Sequence, residues 1–168
     1  IKKTSLTEFK NIRVVGKIAI SIVEGDQLIS ASLTNGEDEI IVASHEGKCI
    51  RFSEKDVRPM GRDTQGVRSM ELNDGDYVVD MSVLKEGYEF ITMTENGFGK
   101  KSEFDLFKTQ KRSGMGMIGY KVSEKTGKIS GITAIREDED LMLIASNGVI
   151  IRMNSAEINS LGRATMGV

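Results

Sequence analysis

The chain has 168 residues, of which 39% are hydrophobic and 29% are charged, and its formal net charge is −2. This length predicts one domain, large enough to bury roughly 70% of the surface that its unfolded chain would expose. The charge balance alone argues against nucleic acid as a ligand, which usually requires a basic domain. No apolar run is long enough to cross a membrane.

The residue types that most often bind metals or form covalent links are scarce. Cys49 is the only cysteine and His45 is the only histidine, so an internal disulfide is excluded and no metal site is expected. We expect both residues to be structural, in a protein of the reducing cytoplasm. Because the chain begins at Ile1 and shows no signal-peptide pattern, we expect it to be one partial domain, residues 1–168, of a longer protein.

Sequence landmarks recur along the chain at intervals close to 50 residues. A turn glycine recurs in HEGK, ENGF and SNGV, and a glycine-containing loop recurs in MGRDTQGV, TQKRSGMGM and LGRATMGV. The loops align Arg62, Arg112 and Arg163, and RVVG near the start aligns Gly16 with Gly66. Self-similarity at a nearly fixed period predicts a repeat architecture. The predicted repeats are approximately residues 1–16 (partial), 16–66, 66–116 and 116–167.

Each repeat is predicted to contain short strands and no long helix. After Gly66 the predicted strands are VRSMEL, YVVDMSVL and YEFITMT, and Asn96-Gly97 is a hairpin signal before a fourth strand, FGKKS. The segment SAEINS is predicted to form one helical turn capped by Ser155. Four short strands in about 50 residues are typical of propeller blades, which bury their faces by stacking. We therefore predict an all-β, propeller-like array of four-stranded blades.

Cations occupy recurring positions, whereas acidic residues gather in the turns between strands. One cationic position follows the hairpin turn, and the other lies in the glycine-containing loop. A radial array would present both as a basic stripe around one rim, which is the electrostatic pattern of a protein that binds nucleic-acid backbones. Alternatively, these side chains are solvated and protect sheet edges from pairing. The candidate residues for binding a nucleic-acid backbone are Lys3, Arg13, Lys48, Arg51, Arg62, Lys100, Lys101, Lys111, Arg112, Arg152 and Arg163.

The sequence resembles the C-terminal domain of the DNA gyrase A protein over its whole length, and less closely the corresponding domain of topoisomerase IV. The resemblance rests on segments such as IKKTSLTEF, DEIIVASHEGKCIRFSEKDVRPMGRDTQGV and TENGFGKKSEFDLFKTQKRSGMG. It implies a β-pinwheel, a propeller-like disc around whose basic outer edge double-stranded DNA wraps without sequence specificity. In the intact enzyme this wrapping serves ATP-dependent negative supercoiling.

The hallmark of that family is a seven-residue gyrase box, Gln-Arg-Arg-Gly-Gly-Lys-Gly, and residues 110–116 are a degenerate copy of it. Five residues fit the box, and Ser113 and Met115 depart from it. Because Met115 replaces a cation, we expect this copy to hold phosphate less strongly. The residues of the copy are Gln110, Lys111, Arg112, Ser113, Gly114, Met115 and Gly116.

The sequence and the resemblance also lead to expectations about catalysis, cofactors and binding partners. No nucleophile–base pair or phosphate-loop motif is present, and Tyr77, Tyr88 and Tyr120 are expected to pack rather than react, so we predict no catalytic activity and no cofactor. ATP and Mg²⁺ would act elsewhere in the intact enzyme. The implied partners are double-stranded DNA, the gyrase B protein and the N-terminal part of the gyrase A protein. Exposed strand edges predict self-association.

Two alternative functions remain at this point. The chain could belong to the corresponding protein of topoisomerase IV, or it could be a structural or protein-interaction propeller. Protein-interaction propellers with a similar repeat length use paired glycines and aromatic residues, whereas this chain has no Trp and no Gly-Gly pair.

Overall fold

Short antiparallel strands dominate the fold, and the only helices are single 3-10 turns. The computed structural model describes residues 1–168. The strands are β1 (Glu39–Ser44), β2 (Lys48–Ser53), β3 (Val78–Leu84), β4 (Tyr88–Thr94), β5 (Gly99–Ser102), β6 (Met117–Ile118), β7 (Ile129–Arg136), β8 (Asp140–Ile144) and β9 (Ile150–Asn154). The 3-10 helices are Leu6–Phe9, Glu54–Asp56, Phe104–Leu106 and Ser155–Glu157. None of these helices has the length and apolar character needed to cross a bilayer.

Three hairpins form the centres of three successive units. They are β1–β2, β4–β5 and β8–β9, and each turns at a glycine with positive φ: Gly47, Gly97 or Gly148. The strand orders are β3-β1-β2-β6, β5-β4-β7 and β8-β9. The all-β, propeller-like prediction is therefore confirmed, while the exact repeat boundaries stay a prediction.

Neighbouring units exchange strands. β3 pairs with β1 along its full length, and β7 pairs with β4 in the same antiparallel manner, with a register irregularity near the hairpin end of each pair. Each of the first two hairpins is thus completed on its inner edge by a strand that comes later in the chain. β8 has no such third strand.

Two predicted details differ from the structure. VRSMEL does not form a strand: the backbone of Val67 bonds that of Ile1, but Ser69 and Glu71 bond the loop residues Ser113 and Gly114 instead of a neighbouring strand. The last 3-10 helix is capped by Asn154, whose side chain accepts a hydrogen bond from the Ala156 N–H at 2.9 Å. The hydroxyl of Ser155 instead donates to the carbonyl of Arg136.

The core lies between the hairpins and the 3-10 turns that follow them. Phe90 meets Phe107 edge to face, with ring centroids 5.4 Å apart, in a cluster that also contains the buried Cys49. Burial raises the pKa of the Cys49 thiol to about 12, so it stays protonated and packs as a small apolar group. His45 stacks on Tyr77 at 4.4 Å.

The closing glycine of each arginine-containing loop lies directly on the outer strand of the preceding unit. Gly116 has a φ of +68°, and a Cβ built there would stand 2.5 Å from the carbonyl oxygen of Cys49. The equivalents Gly66 and Gly167 would meet the carbonyls of Ile1 and Gly99 at 2.5 and 2.3 Å. Only a residue without a side chain permits this backbone contact.

We predict that Gly116→Ala is far more destabilising than Gly97→Ala. Both glycines have positive φ, which costs an L-residue about 1–2 kcal/mol, but a Cβ at Gly97 would enter open space. At Gly116 the clash with Cys49 adds about 1–3 kcal/mol. Urea unfolding of both variants measures the difference, and equal losses of stability would contradict the close contact.

Candidate nucleic-acid interface

Three loops project from the outer edges of successive units, and we call them the arginine loops: residues 61–66, 111–116 and 162–167. In the first loop, the N–H of Met60 bonds the carbonyl of Lys3 at 2.8 Å, and the N–H of Val67 bonds that of Ile1 at 2.8 Å. Six loop residues lie between these two contacts, whereas the outer strand covers the same distance with an advance of two residues. The loop therefore has to arch away from the sheet. The other loops make the same pair of contacts with Arg51 and Cys49, and with Lys101 and Gly99.

Nη1 of each loop arginine donates to a carbonyl that lies 44 or 45 residues earlier in the chain. Arg112 makes one more main-chain contact, from Nε to the Asp56 carbonyl at 3.3 Å. Nη1 of Arg62 donates to the carbonyl of Ile18 at 2.7 Å. In the same way, Nη1 of Arg112 donates to the Arg68 carbonyl and Nη1 of Arg163 donates to the Ile118 carbonyl.

These three carbonyl groups each lie two residues after a closing glycine, so the contact is part of the repeat. In all three arginines Nη2 has no acceptor within the protein. A guanidinium presents its N–H groups in a rigid fork. Nη1 of each guanidinium therefore holds the loop, while Nη2 stays free to donate to an external anion.

The loop at 111–116, the copy of the gyrase box, is built around a residue in the left-handed region. Ser113 has a φ of +73°, its N–H bonds the Ser69 carbonyl at 2.9 Å, and its hydroxyl bonds the Arg68 carbonyl. Gly114 packs under Gln110, where a Cβ would stand 3.3 Å from Oε1. These contacts leave Lys111 and Met115 exposed at the crest of the arch.

The other predicted cationic position is paired with carboxylates inside the protein. Arg51 donates from Nε to Glu39 at 2.7 Å and from Nη1 to the Phe104 carbonyl at 2.9 Å. Burial alone would raise the pKa of Glu39, but hydrogen bonds from Thr109 and Arg51 outweigh it and hold that pKa below its usual value. The cation and the carboxylate thus fix each other within the hairpin.

The same pair recurs at the equivalent positions of the other units. Nζ of Lys101 lies 2.6 Å from Glu89, and Nε of Arg152 lies 2.9 Å from Asp140. Lys3 lies 3.4 Å from the buried Glu54. For Lys3, Arg51, Lys101 and Arg152 we therefore favour a structural role over the DNA contact that the sequence predicted.

Lys100 is also turned inward. It is 1% exposed, and its Nζ donates to the Gly162 carbonyl at 2.9 Å, to the Arg163 carbonyl and to Thr165 Oγ1 at 3.3 Å. Burial lowers the pKa of Lys100 to about 8. Lys2 donates in the same way to the carbonyl of Arg62. Both lysines hold an arginine loop from beneath, so Lys100 is not placed to contact DNA directly.

Lys48 and Arg13, the remaining candidates, differ in their surroundings. Nζ of Lys48 lies 3.4 Å from Asn73 Oδ1, at the hairpin end of the first unit. Arg13 is exposed, and its side chain makes no hydrogen bond or ion pair within the protein. It precedes Gly16, the counterpart of the closing glycines.

One recurring cation position was missed from the sequence. Lys10, Arg58 and Lys108 each follow a 3-10 helix, are exposed, and have no side-chain partner within the protein. They precede the contact that starts each loop. Their spacing of 48 and 50 residues was available in the sequence, but the equivalent position after the last 3-10 helix is Asn159, and this interrupts the pattern.

The largest group of acidic side chains lies away from the arginine loops, although Asp63 belongs to the first loop and Asp56 contacts the second. A cavity of about 490 Å³ lies where β1 begins and β3 ends, and it is lined by Glu37, Asp38, Glu39, Glu86, Glu103 and Asp105. The net charge of −2 therefore conceals two regions of opposite sign. No group of three or more His, Cys, Asp or Glu side chains is arranged to hold a metal ion.

We predict that Lys101→Met costs more stability than Arg152→Met, although the two cations are equivalent. The Lys101 side chain is 8% exposed, so its removal leaves Glu89 poorly solvated and costs about 1–3 kcal/mol. The Arg152 side chain is 72% exposed, and its pair is worth less than about 1 kcal/mol. Urea unfolding at pH 7 compares them, and a larger loss for Arg152→Met would refute the structural assignment of Lys101.

We predict that Lys100 makes stability rise with pH between about 8 and 10.5. In this window the unfolded chain still binds the Lys100 proton while the folded chain has released it, so raising the pH favours folding. Free energies of unfolding at pH 8 and pH 10 should increase more steeply in the wild type than in Lys100→Met. Parallel slopes would show that Lys100 is not desolvated in the folded protein.

Comparison with known proteins gives consistent results. The family described as DNA gyrase C-terminal domain, beta-propeller, matches residues 1–35, 38–85, 88–136 and 139–168. The DNA gyrase A protein of Escherichia coli (strain K12) is 42% identical over the whole chain, and that of Pseudomonas aeruginosa is 38% identical. The chain spans 19% and 18% of the lengths of these relatives.

Solved structures agree with the sequence comparison. The C-terminal domain of DNA topoisomerase IV superposes with a TM-score of 0.92 and 25% identity, over 99% of this chain and 53% of that one. The DNA gyrase A C-terminal domain superposes with a TM-score of 0.87 and 29% identity, over 96% of this chain and 54% of that one. This chain therefore belongs to the family of DNA gyrase C-terminal domains, whose blades it reproduces along its whole length.

Proposed function

We propose that this chain binds double-stranded DNA without sequence specificity and bends it around the edge that carries the arginine loops. The observation that carries the proposal is the repeated arginine whose Nη1 is bonded to a main-chain carbonyl and whose Nη2 has no acceptor within the protein. The loops recur once per unit, so their free N–H groups would meet successive phosphates along a curved duplex. Phosphate contacts of this kind position a duplex without reading its bases.

The proposed contacts are the cations at or beside the loops that are exposed or, for the three loop arginines, half-buried. They include Lys111 at the crest of the box copy and the Nη2 groups of the three loop arginines. The cations that follow the 3-10 helices extend the same surface. The proposed DNA-contacting set is Lys10, Arg13, Arg58, Arg62, Lys108, Lys111, Arg112 and Arg163.

The energetics of wrapping are compatible with this number of contacts. Smooth bending of a 20–30 base-pair site by 40–90° costs on the order of 1–6 kcal/mol. A hydrogen bond to a charged group contributes about 1.5–3 kcal/mol. A few phosphate contacts would therefore offset the elastic cost. Bending without base contacts also agrees with the absence of exposed aromatic clusters on the loops.

We further propose that the parent protein is the gyrase A protein, in which this domain acts with the N-terminal part of the same protein and with the gyrase B protein in ATP-dependent negative supercoiling. Identities of 38–42% with gyrase A proteins support this assignment. The corresponding protein of topoisomerase IV is the second candidate, because its C-terminal domain superposes with the TM-score of 0.92. The degenerate box, with Ser113 and Met115, does not distinguish the two.

Duplex binding measured against salt concentration tests the DNA proposal. Fluorescence anisotropy with a labelled duplex between about 50 and 200 mM salt should give a log–log slope of about −0.9 for each neutralised phosphate. Lys111→Ala should flatten the slope by about one contact. Lys85→Ala is the matched control, because Lys85 is exposed but lies in the acidic cavity.

A substitution that restores the family's cation provides the converse measurement. Met115→Lys adds a charge at the crest of the loop, so the slope should steepen by about one contact and affinity should increase. A salt-independent wild type, or equal effects of Lys111→Ala and Lys85→Ala, would remove the wrapping proposal. Either result would leave the structural or protein-interaction propeller as the function to pursue.

A further inference from the structure

Lys100 carries a buried charge that no carboxylate neutralises. Its Nζ has three hydrogen-bond partners, the carbonyl oxygens of Gly162 and Arg163 and the hydroxyl of Thr165, and all three are neutral. The Tyr120 ring lies on another side, with its centroid 5.2 Å from Nζ. A lysine that is 1% exposed and has only neutral partners lowers the stability of the fold, because its charge has lost most of its hydration. A role beyond packing would account for a charge in this place.

The contacts of Lys100 fix the main chain on both sides of Arg163. The Gly162 carbonyl belongs to the peptide group before Arg163 and the Arg163 carbonyl to the one after it, so a single ammonium group orients both. The hydroxyl of Thr165 adds to this arrangement, since it donates to the Gly162 carbonyl at 2.7 Å. The Cα of Arg163 is thereby held between two oriented peptide groups. The direction in which its guanidinium leaves the loop therefore depends on Lys100.

The equivalent positions of the other units show that packing alone does not require a lysine here. The equivalents of Lys100 are Lys2 and Ile50, each of which precedes the outer-strand cation of its unit. Lys2 donates to the carbonyl of a loop arginine, as Lys100 does. Ile50 is fully buried beneath the box copy, where a Cβ on Gly114 would lie 3.6 Å from its Cδ1. An apolar side chain therefore fills the same place in a closely packed unit.

The box copy is held by contacts of another kind. The N–H of Arg112 donates to Asp56 Oδ2 at 3.4 Å, and the N–H of Ser113 donates to the Ser69 carbonyl at 2.9 Å. Because Ile50 occupies the place of the ammonium group, the shape of this loop does not depend on the ionisation of a lysine. The arginine loops are thus of two kinds, and only those at 61–66 and 162–167 rest on a lysine.

We propose that Lys100 is a positioning residue for the DNA binding proposed above, on which this inference rests: Arg163 binds phosphate tightly only while the Lys100 side chain is protonated. Charge-assisted hydrogen bonds are about twice as strong as neutral ones, so loss of the proton weakens the hold on both peptide groups around Arg163. Arg163 then no longer presents Nη2 in a fixed direction. A phosphate bound by Arg163 in turn favours the charged form of Lys100.

Lys100 is the group in this part of the protein that titrates between pH 7 and 9. Burial lowers the pKa of Lys100 to about 8, and the positive charge of Arg163 acts in the same direction. The other titratable groups that face Nζ are Tyr120 and, on β2, Cys49, and burial raises the pKa of both, so they stay uncharged. The protonated fraction of Lys100 therefore falls from about nine tenths at pH 7 to about one tenth at pH 9.

Duplex binding by the 168-residue chain, measured by fluorescence anisotropy at constant salt from pH 7 to pH 9, tests the proposal. The affinity of the wild type should fall by about three- to tenfold over this range, because the fraction of chains that can bind through Arg163 falls with the protonated fraction of Lys100. Between pH 8 and 9 the same titration stabilises the fold. A loss of affinity there does not arise from unfolding.

Three variants assign the effect to Lys100. Lys100→Met should bind more weakly than the wild type at pH 7 and lose this pH dependence, with an unchanged circular dichroism spectrum, since Ile50 fills the same place in another unit. In an Arg163→Ala background, Lys100→Met should cause no further loss, because the contact that Lys100 supports is already absent. Arg112→Ala is the matched control: it should weaken binding yet keep the pH dependence of the wild type, because its loop rests on Ile50.

Isothermal titration calorimetry of the wild type provides a measurement that needs no variant. Binding at pH 8 in two buffers of different ionisation enthalpy should show an uptake of about half a proton, because phosphate binding returns Lys100 to its charged form. Equal pH profiles for the wild type and Lys100→Met, or binding without proton uptake, would overturn the role of Lys100 and leave the DNA-binding proposal intact. A chain without salt-dependent duplex binding would overturn both.

Discussion

The fold depends on a backbone contact between successive units, the seating of a closing glycine on the outer strand of the unit before it. Gly116 on Cys49 is the central example, with no room for a Cβ between them. This contact sets the distance at which one unit stands from the next, and it forces the five residues before the glycine to arch outward. The position of the loop arginines and the burial of Lys100 both follow from it, because each is held by the arch.

The positively charged side chains fall into two groups, those on the outer strands of the hairpins and those on the arginine loops. Side chains on the outer strands lie beside a carboxylate twelve residues earlier on the same hairpin, as Arg51 lies beside Glu39. Such pairs contribute to the fold and leave little charge for an external ligand. Nη1 of each arginine on the arches donates to a neutral backbone carbonyl, and the nearest ion pair, between Arg62 and the exposed Asp63, is long at 4.0 Å, so most of their charge remains available. A chain with a net charge of −2 can therefore still offer a basic edge.

Much of the fold was predictable from the sequence, because glycine spacing reports backbone conformation directly. Asn96-Gly97 marks a hairpin, and the regular interval between Gly66 and Gly116 marks one unit. The interface was less predictable. A one-dimensional repeat shows that Lys101 recurs, but it does not show that Glu89 lies across the hairpin from it. Lys100 and Lys101 are adjacent in sequence, yet the loop at 162–167 covers the first and Glu89 binds the second.

The positions that sequence reasoning missed have a related explanation. Arg58 and Lys108 stand at equivalent places, but they fall between two stronger signals, the 3-10 helix and the glycine loop. Their exposure becomes evident only when the path of the chain is known.

The tether of Arg112 to the Arg68 carbonyl has a mechanical consequence. A force applied to Nη2 of Arg112 is transmitted to the main chain at two places. One is the arginine loop that contains Arg112, and the other is the Arg68 carbonyl, two residues after the closing glycine of the preceding loop. A force on one loop is therefore shared by two units, so it does not act only on the contact between that loop and the outer strand beneath it. Each junction is therefore held by a side-chain hydrogen bond in addition to the backbone contact at the closing glycine.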